Sequence, residues 1–527
     1  MNCTITSAPR MICACLAFTF LPLAQAQELR LAEALRLALQ QNGDVLLQIQ
    51  QVESAQGQLE QAKGAFDLSL SASARQERAV NVSAQNGANG KPLQTRNQSA
   101  NLQAGFKKQL KNGMSLDYGI SASAQQNTDT AGITGLQQNK TTVSFNFNIP
   151  LWRGRHENGD ALRLQSAERA AQASLHTMRQ QTSQVLQNVM AAYWDYLARN
   201  QQLTLAQGSV QRARQLLDST QKLVDANEKP RGDLVLLQAD LADKQNNLLQ
   251  AELALQESSR NLARLLGKDS ESVLGAPLER FPQPQEQLDN ILEQGARLQQ
   301  LALAQRPDVR AAQEQLEQAR LNVKQADEAR KPKLDLNLGV SMARASEGGS
   351  RLGFPFAAGN TQSEPTVFAR LSYEFAPENH AASGAARVNA ATLAQSEVRL
   401  RDLRNQAMSA FNSALQKTKV TARQLQAARR SLELYELAVR QEITKQRNGI
   451  ATLIDVITIE GRYNGAQAAL INLQADFAKA LGSLLHESAC LLPPQDAGRA
   501  YEIDPVALYS LQNIQRLLAQ SAPNMTP

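Results

Sequence analysis

The chain has 527 residues, 43% of them hydrophobic but only 4% aromatic, and a formal net charge of +6. That length exceeds one ordinary core, so two domains or one elongated body are expected. The positive charge is spread without Lys/Arg blocks or interleaved aromatics, which argues against nucleic acid as a partner.

The first expected element is a signal peptide over residues 1–26. Arg10 precedes an apolar run from Met11 to Leu23, and Ala24-Gln25-Ala26 is a small-x-small cleavage site. The run is too short to serve as a spanning anchor. Cys3, Cys13 and Cys15 fall in this segment and leave Cys490 alone, so no intrachain disulfide or multi-cysteine metal site is expected. No later stretch reaches the roughly 18 apolar residues of a spanning helix, so any membrane crossing must use β-strands.

Residues 27–65 read as helix, and residues 66–152 read as strands. In the strand zone Phe66, Leu68, Leu70, Ala72 and Ala74 alternate with Asp67, Ser69, Ser71 and Ser73. Leu102, Ala104 and Phe106, then Met114, Leu116, Tyr118 and Ile120, flank the hairpin dipeptide Asn112-Gly113. Val143, Phe145, Phe147 and Ile149 alternate with Ser144, Asn146 and Asn148. Alternation of this kind makes a sheet with two different faces. By itself it fits a half-buried soluble sheet as well as a barrel with lipid outside and water inside.

Residues 153–285 form an expected helical hairpin. Val189, Tyr196, Leu203, Val210, Leu217 and Val224 recur every seven residues, the spacing of coiled-coil packing. Residues 160–227 contain no proline and would extend on the order of 100 Å at ~1.5 Å per residue. Pro230 and Gly232 then break the helix, and 233–266 run back. Residues 286–333 restart a helix. Residues 334–376 carry strands, with Leu334, Leu336, Leu338 and Val340 on one apolar face and Val367, Ala369, Leu371, Tyr373 and Phe375 on another. Residues 377–488 repeat the hairpin, with Phe411, Thr418, Leu425, Leu432 and Val439 in heptad register and a tip at Asn448-Gly449-Ile450-Ala451. The tail over 489–527 carries no clear pattern.

The two halves are related. Asn42-Gly43-Asp44-Val45 matches Arg306-Pro307-Asp308-Val309 at an offset of 264, and each leads into a strand. The long helices align at an offset of 222, which pairs Val189 with Phe411, Leu203 with Leu425 and, without a gap, Asp233 with Asp455. The offsets differ by 42 residues, about one extra hairpin with its loops in the first strand zone.

With these pieces in order, the chain resembles the TolC-type outer-membrane efflux protein family over nearly its whole mature length. Leu31-Ala32-Glu33-Ala34-Leu35 with Asn42-Gly43-Asp44-Val45 resembles the family's opening, and Ala304-Gln305-Arg306-Pro307-Asp308-Val309 its mid-chain restart. Ile149-Pro150-Leu151-Trp152-Arg153-Gly154 resembles the end of the first-half strands, and the segments from Asp233 and Gly449 resemble the two return helices. The resemblance implies a mixed, mainly α fold: a coiled-coil helical barrel and an antiparallel transmembrane β-barrel, both completed by trimerisation. It implies a homotrimer in the outer membrane, extending into the periplasm, with a periplasmic adaptor and an inner-membrane pump or exporter as partners, outer-membrane lipid around it and no cofactor.

Two departures stand out. The family has two strands per half, twelve in a trimer, whereas four are expected in the first half here. At the second tip the family's narrow entrance can carry two acidic residues one helical turn apart. Asp455 matches the first, Thr458 holds the second place with Glu460 nearby, and the position of a basic partner is Ala451. A three-fold ring of Asp455 would attract cations, although Asp also suits a helix N-terminus. Pro230, Gly232, Asp233 and Gly449 are candidate adaptor contacts at tips where the first three and Gly449 also serve turn and cap roles. Phe147 and Trp152 are candidates for a membrane interface. His156, His176, His380 and His486 form no metal pair, and no catalytic motif is present, so an enzyme is not expected. The competing reading is a periplasmic coiled-coil scaffold or adaptor without a pore. It leaves the alternating strands unexplained.

Overall fold

A computed structural model describes residues 29–86, 92–128, 133–155, 158–228, 230–269, 274–284, 291, 293–348, 361–362 and 364–492, with 514, 515 and 518 of the tail. The expected signal peptide and most of the tail lie outside the described residues. The chain divides into two units. One comprises Met1–Leu37, Val189–Pro282 and Leu425–Ala475, and the other Ala38–Asn188, Gln283–Gln424 and Asp476–Pro527.

The helices in chain order are α1 (Leu31–Gln41), α2 (Gly43–Lys63), α3 (Gly159–Asp225), α4 (Gly232–Leu265), α5 (Gly295–Gln305), α6 (Pro307–Arg330), α7 (His380–Arg447) and α8 (Leu453–Glu487). Among the described residues, no helix is long and apolar enough to cross a membrane. The break between α1 and α2 is set by Asn42, whose side chain accepts hydrogen bonds from the backbone of Asp44 and Val45 as an N-cap. Its repeat counterpart, Arg306, precedes α6, where Pro307 takes the first helical turn. The Arg306 guanidinium pairs with both Asp308 and Glu487, which fastens the end of α8 to the start of α6. The Arg-Pro-Asp sequence is therefore a helix start combined with a buried clamp.

The seven-residue rows behave as packing rows. Val189, Tyr196, Val210 and Val224 on α3 and Phe411, Thr418 and Leu425 on α7 are buried, and the remaining heptad residues are half-buried. The Thr418 hydroxyl is satisfied internally: it donates to the carbonyl of Ala414 at 2.8 Å and to that of Ala480 at 3.2 Å. In the first unit Tyr193 and Trp194 are core residues, with Trp194 also against Phe281. The Tyr193 hydroxyl donates to Glu279, which also accepts from the Leu31 backbone at 2.6 Å. Burial pushes the tyrosine pKa up.

The strands are β1 (Leu68–Asn86), β2 (Pro92–Gln109), β3 (Ser115–Thr128), β4 (Gln138–Pro150), β5 (Lys333–Glu347), β6 (Thr361–Gln362) and β7 (Thr366–Glu374). They form one antiparallel sheet in the order β1-β2-β3-β4-β5, with β6 and β7 both paired to β5. The additional hairpin joins the sheet: all four first-half strands belong to the sheet that carries the second-half strands. Phe66 corrects the sequence expectation. It lies in a 3-10 turn and is buried against Ala62 and Leu164, so it closes the base of the helices instead of starting the strand's apolar face. Asn112 and Gly113 do turn the β2–β3 hairpin, with Gly113 at φ +87°.

Register assigns each side chain to a face. Leu70, Phe106, Tyr118, Phe145, Val340 and Val367 stand opposite one another across the whole sheet. The adjacent rung, on the other face, is Ser71, Gly105, Gly119, Ser144, Ser341 and Thr366. Around these rungs one face is thus mainly apolar and the other mainly small and polar; the apolar face also carries Lys108 between Leu68 and Leu116 and, toward the far ends of the strands, Gln76, Arg78, Gln98 and Arg344. Phe368 departs from this, pointing to the polar face. It is accommodated because its ring occupies the space that a Cβ at Gly339 would need.

Candidate functional site

The second tip begins where α7 runs out of helix-compatible backbone. Gly449 adopts φ +74°, the left-handed region that glycine enters without strain. Its N–H donates to the Gln446 carbonyl at 3.1 Å, and that of Ile450 donates to the Lys445 carbonyl at 2.9 Å. This pair of bonds is a Schellman stop, which satisfies carbonyls that the helix leaves open. Two residues on, α8 starts with a reciprocal cap. The Thr452 hydroxyl donates to Asp455 Oδ2 at 2.6 Å and its N–H donates to the same oxygen at 2.9 Å, while the Asp455 N–H donates to Thr452 Oγ1 at 3.2 Å. This is a capping box with a shorter acid. The Thr452 side-chain and backbone hydrogen bonds hold the Asp455 carboxyl below the usual carboxylate range, with a smaller contribution from the charge of Lys445.

Thr458 is exposed one turn after Asp455 and shares its face. Glu460 does not. Five helical residues carry it roughly 140° around the axis from Asp455. It pairs with Arg212 of α3, whose Nε lies 2.8 Å from Glu460 Oε1. Arg212 also donates to Asn464 Oδ1 at 2.7 Å and to Ser209 Oγ at 3.2 Å. The expected trio therefore splits into an exposed Asp455–Thr458 face and a Glu460 link to α3. Arg212 and Asn464 were not legible as site residues because the contact joins chain segments 248 and 252 residues apart. Beside this link lies a cavity of about 680 Å³ among α3, α7 and α8, lined by Leu216, Val439, Ile443 and Val456 among others.

The first tip uses the same stop with a different residue. Asn227 adopts φ +58°, its N–H donates to Val224 at 2.9 Å, and the Glu228 N–H donates to Leu223 at 2.8 Å. Each of these positions plus 222 gives its counterpart at the second tip: Asn227 to Gly449, Glu228 to Ile450, Leu223 to Lys445. Asn227 makes the stop of α3, because a short polar side chain tolerates the left-handed region, and Pro230 and Gly232 follow it at the entry to α4. Gly232 opens α4 without a positive φ. The Pro230 carbonyl accepts from the Asp233 N–H at 3.2 Å, but proline has no hydroxyl to cap with, so Asp233 has no box. Both tips present apolar side chains to solvent: Val235 and Leu236 on the first, Ile450 and Ile454 on the second.

At the sheet, Phe147 lies on the apolar face opposite Leu116 and Leu338. Trp152 is half exposed in the turn that follows β4, next to the Leu151 N–H bond to Leu334. Exposed Tyr373 and Phe375 stand at the same end of the sheet. Among the described residues no cluster of His, Cys, Asp or Glu could hold a metal ion.

Residues 113–268 and 298–486 match the profile of a family described as outer membrane efflux protein. No curated protein sequence matches the chain. Solved structures share the fold at low identity. The outer membrane protein VceC of Vibrio cholerae is 16% identical with a TM-score of 0.61, over 87% of this chain and 95% of that one. The CmeC outer membrane channel of Campylobacter jejuni is 15% identical with a TM-score of 0.60, over 87% and 85%. The open state of the MtrE outer membrane channel of Neisseria gonorrhoeae is 16% identical with a TM-score of 0.61, over 87% and 88%.

Proposed function

The chain belongs to the outer membrane efflux protein family, and from that premise we propose that it is the outer-membrane exit duct of a tripartite efflux or type I secretion assembly. The family consists of channels, not enzymes. In this reading three copies form the duct, which crosses the outer membrane and extends into the periplasm. A periplasmic adaptor and an inner-membrane pump or exporter meet it below. The duct itself is passive, and small molecules or polypeptides pass through.

The observation that carries this reading is the two-faced sheet. An apolar rung that runs unbroken through every strand suits lipid, and the polar rung beside it suits water. The scaffold reading has no use for such a sheet. The long helices support assembly, because α7 leaves Val388, Val398, Leu434 and Leu437 exposed along its length, a row that a neighbouring copy would cover. Phe147 belongs to the lipid-facing band, and Trp152, with Tyr373 and Phe375, to the aromatic girdle at its periplasmic edge. Val235, Leu236 and Ile450, next to Pro230, Gly232, Asp233 and Gly449, would meet the adaptor.

The gate has two parts in this proposal. Asp455 from three copies forms a ring of negative potential, its carboxylate kept ionised by the Thr452 cap. The Arg212–Glu460 pair holds α8 against α3 and resists opening. Single-channel conductance in planar bilayers, with particle size by light scattering, tests the reading. Trimer-sized particles with small cation-selective currents are expected. Asp455→Ala should weaken the cation preference, and Glu460→Gln should raise conductance with selectivity retained. A soluble monomer that forms no channel would overturn the duct.

A further inference from the structure

The sheet has two open edges. Nothing among the described residues pairs with the free side of β1 or with the free side of β6 and β7. The last edge is made by β6 and β7, both paired to β5 on the side away from β4. Ser341 pairs with Thr366 and Arg344 with Gln362, so β6 and β7 follow one another along β5 and occupy one strand position. The sheet therefore has six strand positions. In a hydrocarbon layer each unpaired backbone group costs several kcal/mol, so neither edge can remain open there.

We propose that the β1 edge of one copy pairs antiparallel with the β6–β7 edge of the next, so that three copies close a barrel of eighteen strands, not twelve. This rests on the duct reading and sharpens it. Six positions in each of three copies give the count. Four properties of the edges point to a second copy as their partner.

Direction is the first. Every neighbouring pair in the sheet is antiparallel, and with an even number of positions the first and last strands run in opposite directions, as antiparallel closure requires. Length is the second. β1 pairs with β2 from Leu68 to Val82, and β6 and β7 together pair with β5 from Lys333 to Ala345, a comparable span. The third is attachment: β1 follows α2 through the Gly64–Phe66 turn, and β7 runs into α7, so each edge is tethered to a helix at its own end. The fourth is chemistry. Leu68, Leu70, Val80 and Val82 on one edge and Val367, Leu371 and Tyr373 on the other are exposed on the same apolar face. The additional hairpin thus continues both rungs, with Leu70 and Phe106 on the apolar one and Ser71 and Gly105 on the polar one. Set aside in water it would leave that face wet, with β3 stripped of its fourteen-residue ladder to β2. Barrel diameter grows roughly linearly with strand number, so closure would be about one and a half times as wide as with twelve strands.

Disulfide trapping in outer-membrane vesicles tests this, in a Cys490→Ser background. Ser71→Cys, on the polar face of β1, is combined in turn with Thr366→Cys, Arg370→Cys and Ser372→Cys on the same face of β7. Positions two apart on a neighbouring strand lie within about 7–8 Å, so the series samples the unknown register. Ser121→Cys on β3 with the same partners represents twelve-strand closure. The expected result is loss of monomer to covalent dimer and trimer in at least one Ser71 combination and in none with Ser121. Trapping through Ser121 would overturn the proposal. So would failure of every Ser71 pair in a protein that glutaraldehyde still fixes as a trimer, and the duct reading would survive that result. A protein that glutaraldehyde leaves monomeric overturns both. Strand count in an electron cryomicroscopy map of the detergent-extracted protein gives a second, mutation-free readout.

Discussion

The two helix tips end in the same way and restart differently. Both close with a left-handed residue and the same two backbone bonds, made by Asn227 in the first and Gly449 in the second, 222 residues later. The restart then diverges at one aligned position. Thr452 builds a box with Asp455, whereas its counterpart Pro230 has no hydroxyl to offer Asp233. The comparison teaches that a stop is a backbone event several residue types can satisfy, while a cap needs a specific side chain. It also separates the two matched acids. Asp455 is committed to its own helix before any role in a channel, so a gate built on it must work with the single oxygen that the cap leaves free.

That comparison can be broken most strongly at the stops. Gly449→Val forces a β-branched residue to positive φ and should cost about 1–2 kcal/mol or more, read as faster amide exchange at residues 445–452. Next in size is the cap. Thr452→Ala should cost about 1 kcal/mol of stability at the start of α8, visible as fraying of its first turn by hydrogen exchange. The reverse swap, Pro230→Thr, should give Asp233 a box and slow exchange at the start of α4. Asn227→Gly should change the first tip by only a few tenths of a kcal/mol. If it behaves like Gly449→Val, the equivalence of the stops is wrong. The smallest effect is that of pH. The folded pKa of Asp455 lies below its ordinary value, so its contribution is present at neutral pH and is lost as pH falls through the depressed value. Protection of the first-turn amides of α8, measured relative to their intrinsic exchange rates, should fall in acid, and Thr452→Ala should remove most of that fall.

Much of the fold was legible because it is periodic. Heptads fixed the inward rows of α3 and α7, and alternation fixed which residues of each strand share a face. The offset of 222 carried one tip onto the other without a gap. What could not be read falls where periodicity ends. Phe66 continues the strand pattern by spacing, yet the chain is still turning there and its ring completes a helical cluster. Pro230 and Gly232 were the conspicuous helix breakers, but α3 had already stopped at Asn227. Glu460 looked like a neighbour of Asp455 by sequence number, and five helical residues place it on another face, against Arg212.

The sequence by itself determined the element types, the duplication, the two-faced strands and the family, because each is written in local spacing. Only the tertiary structure decided that the additional hairpin joins the sheet and that Arg212 meets Glu460. Those depend on which backbone groups and charges find partners across long separations. A ladder forms where unpaired amides meet, and an ion pair where two helices lie side by side, and neither condition is encoded at a fixed distance along the chain.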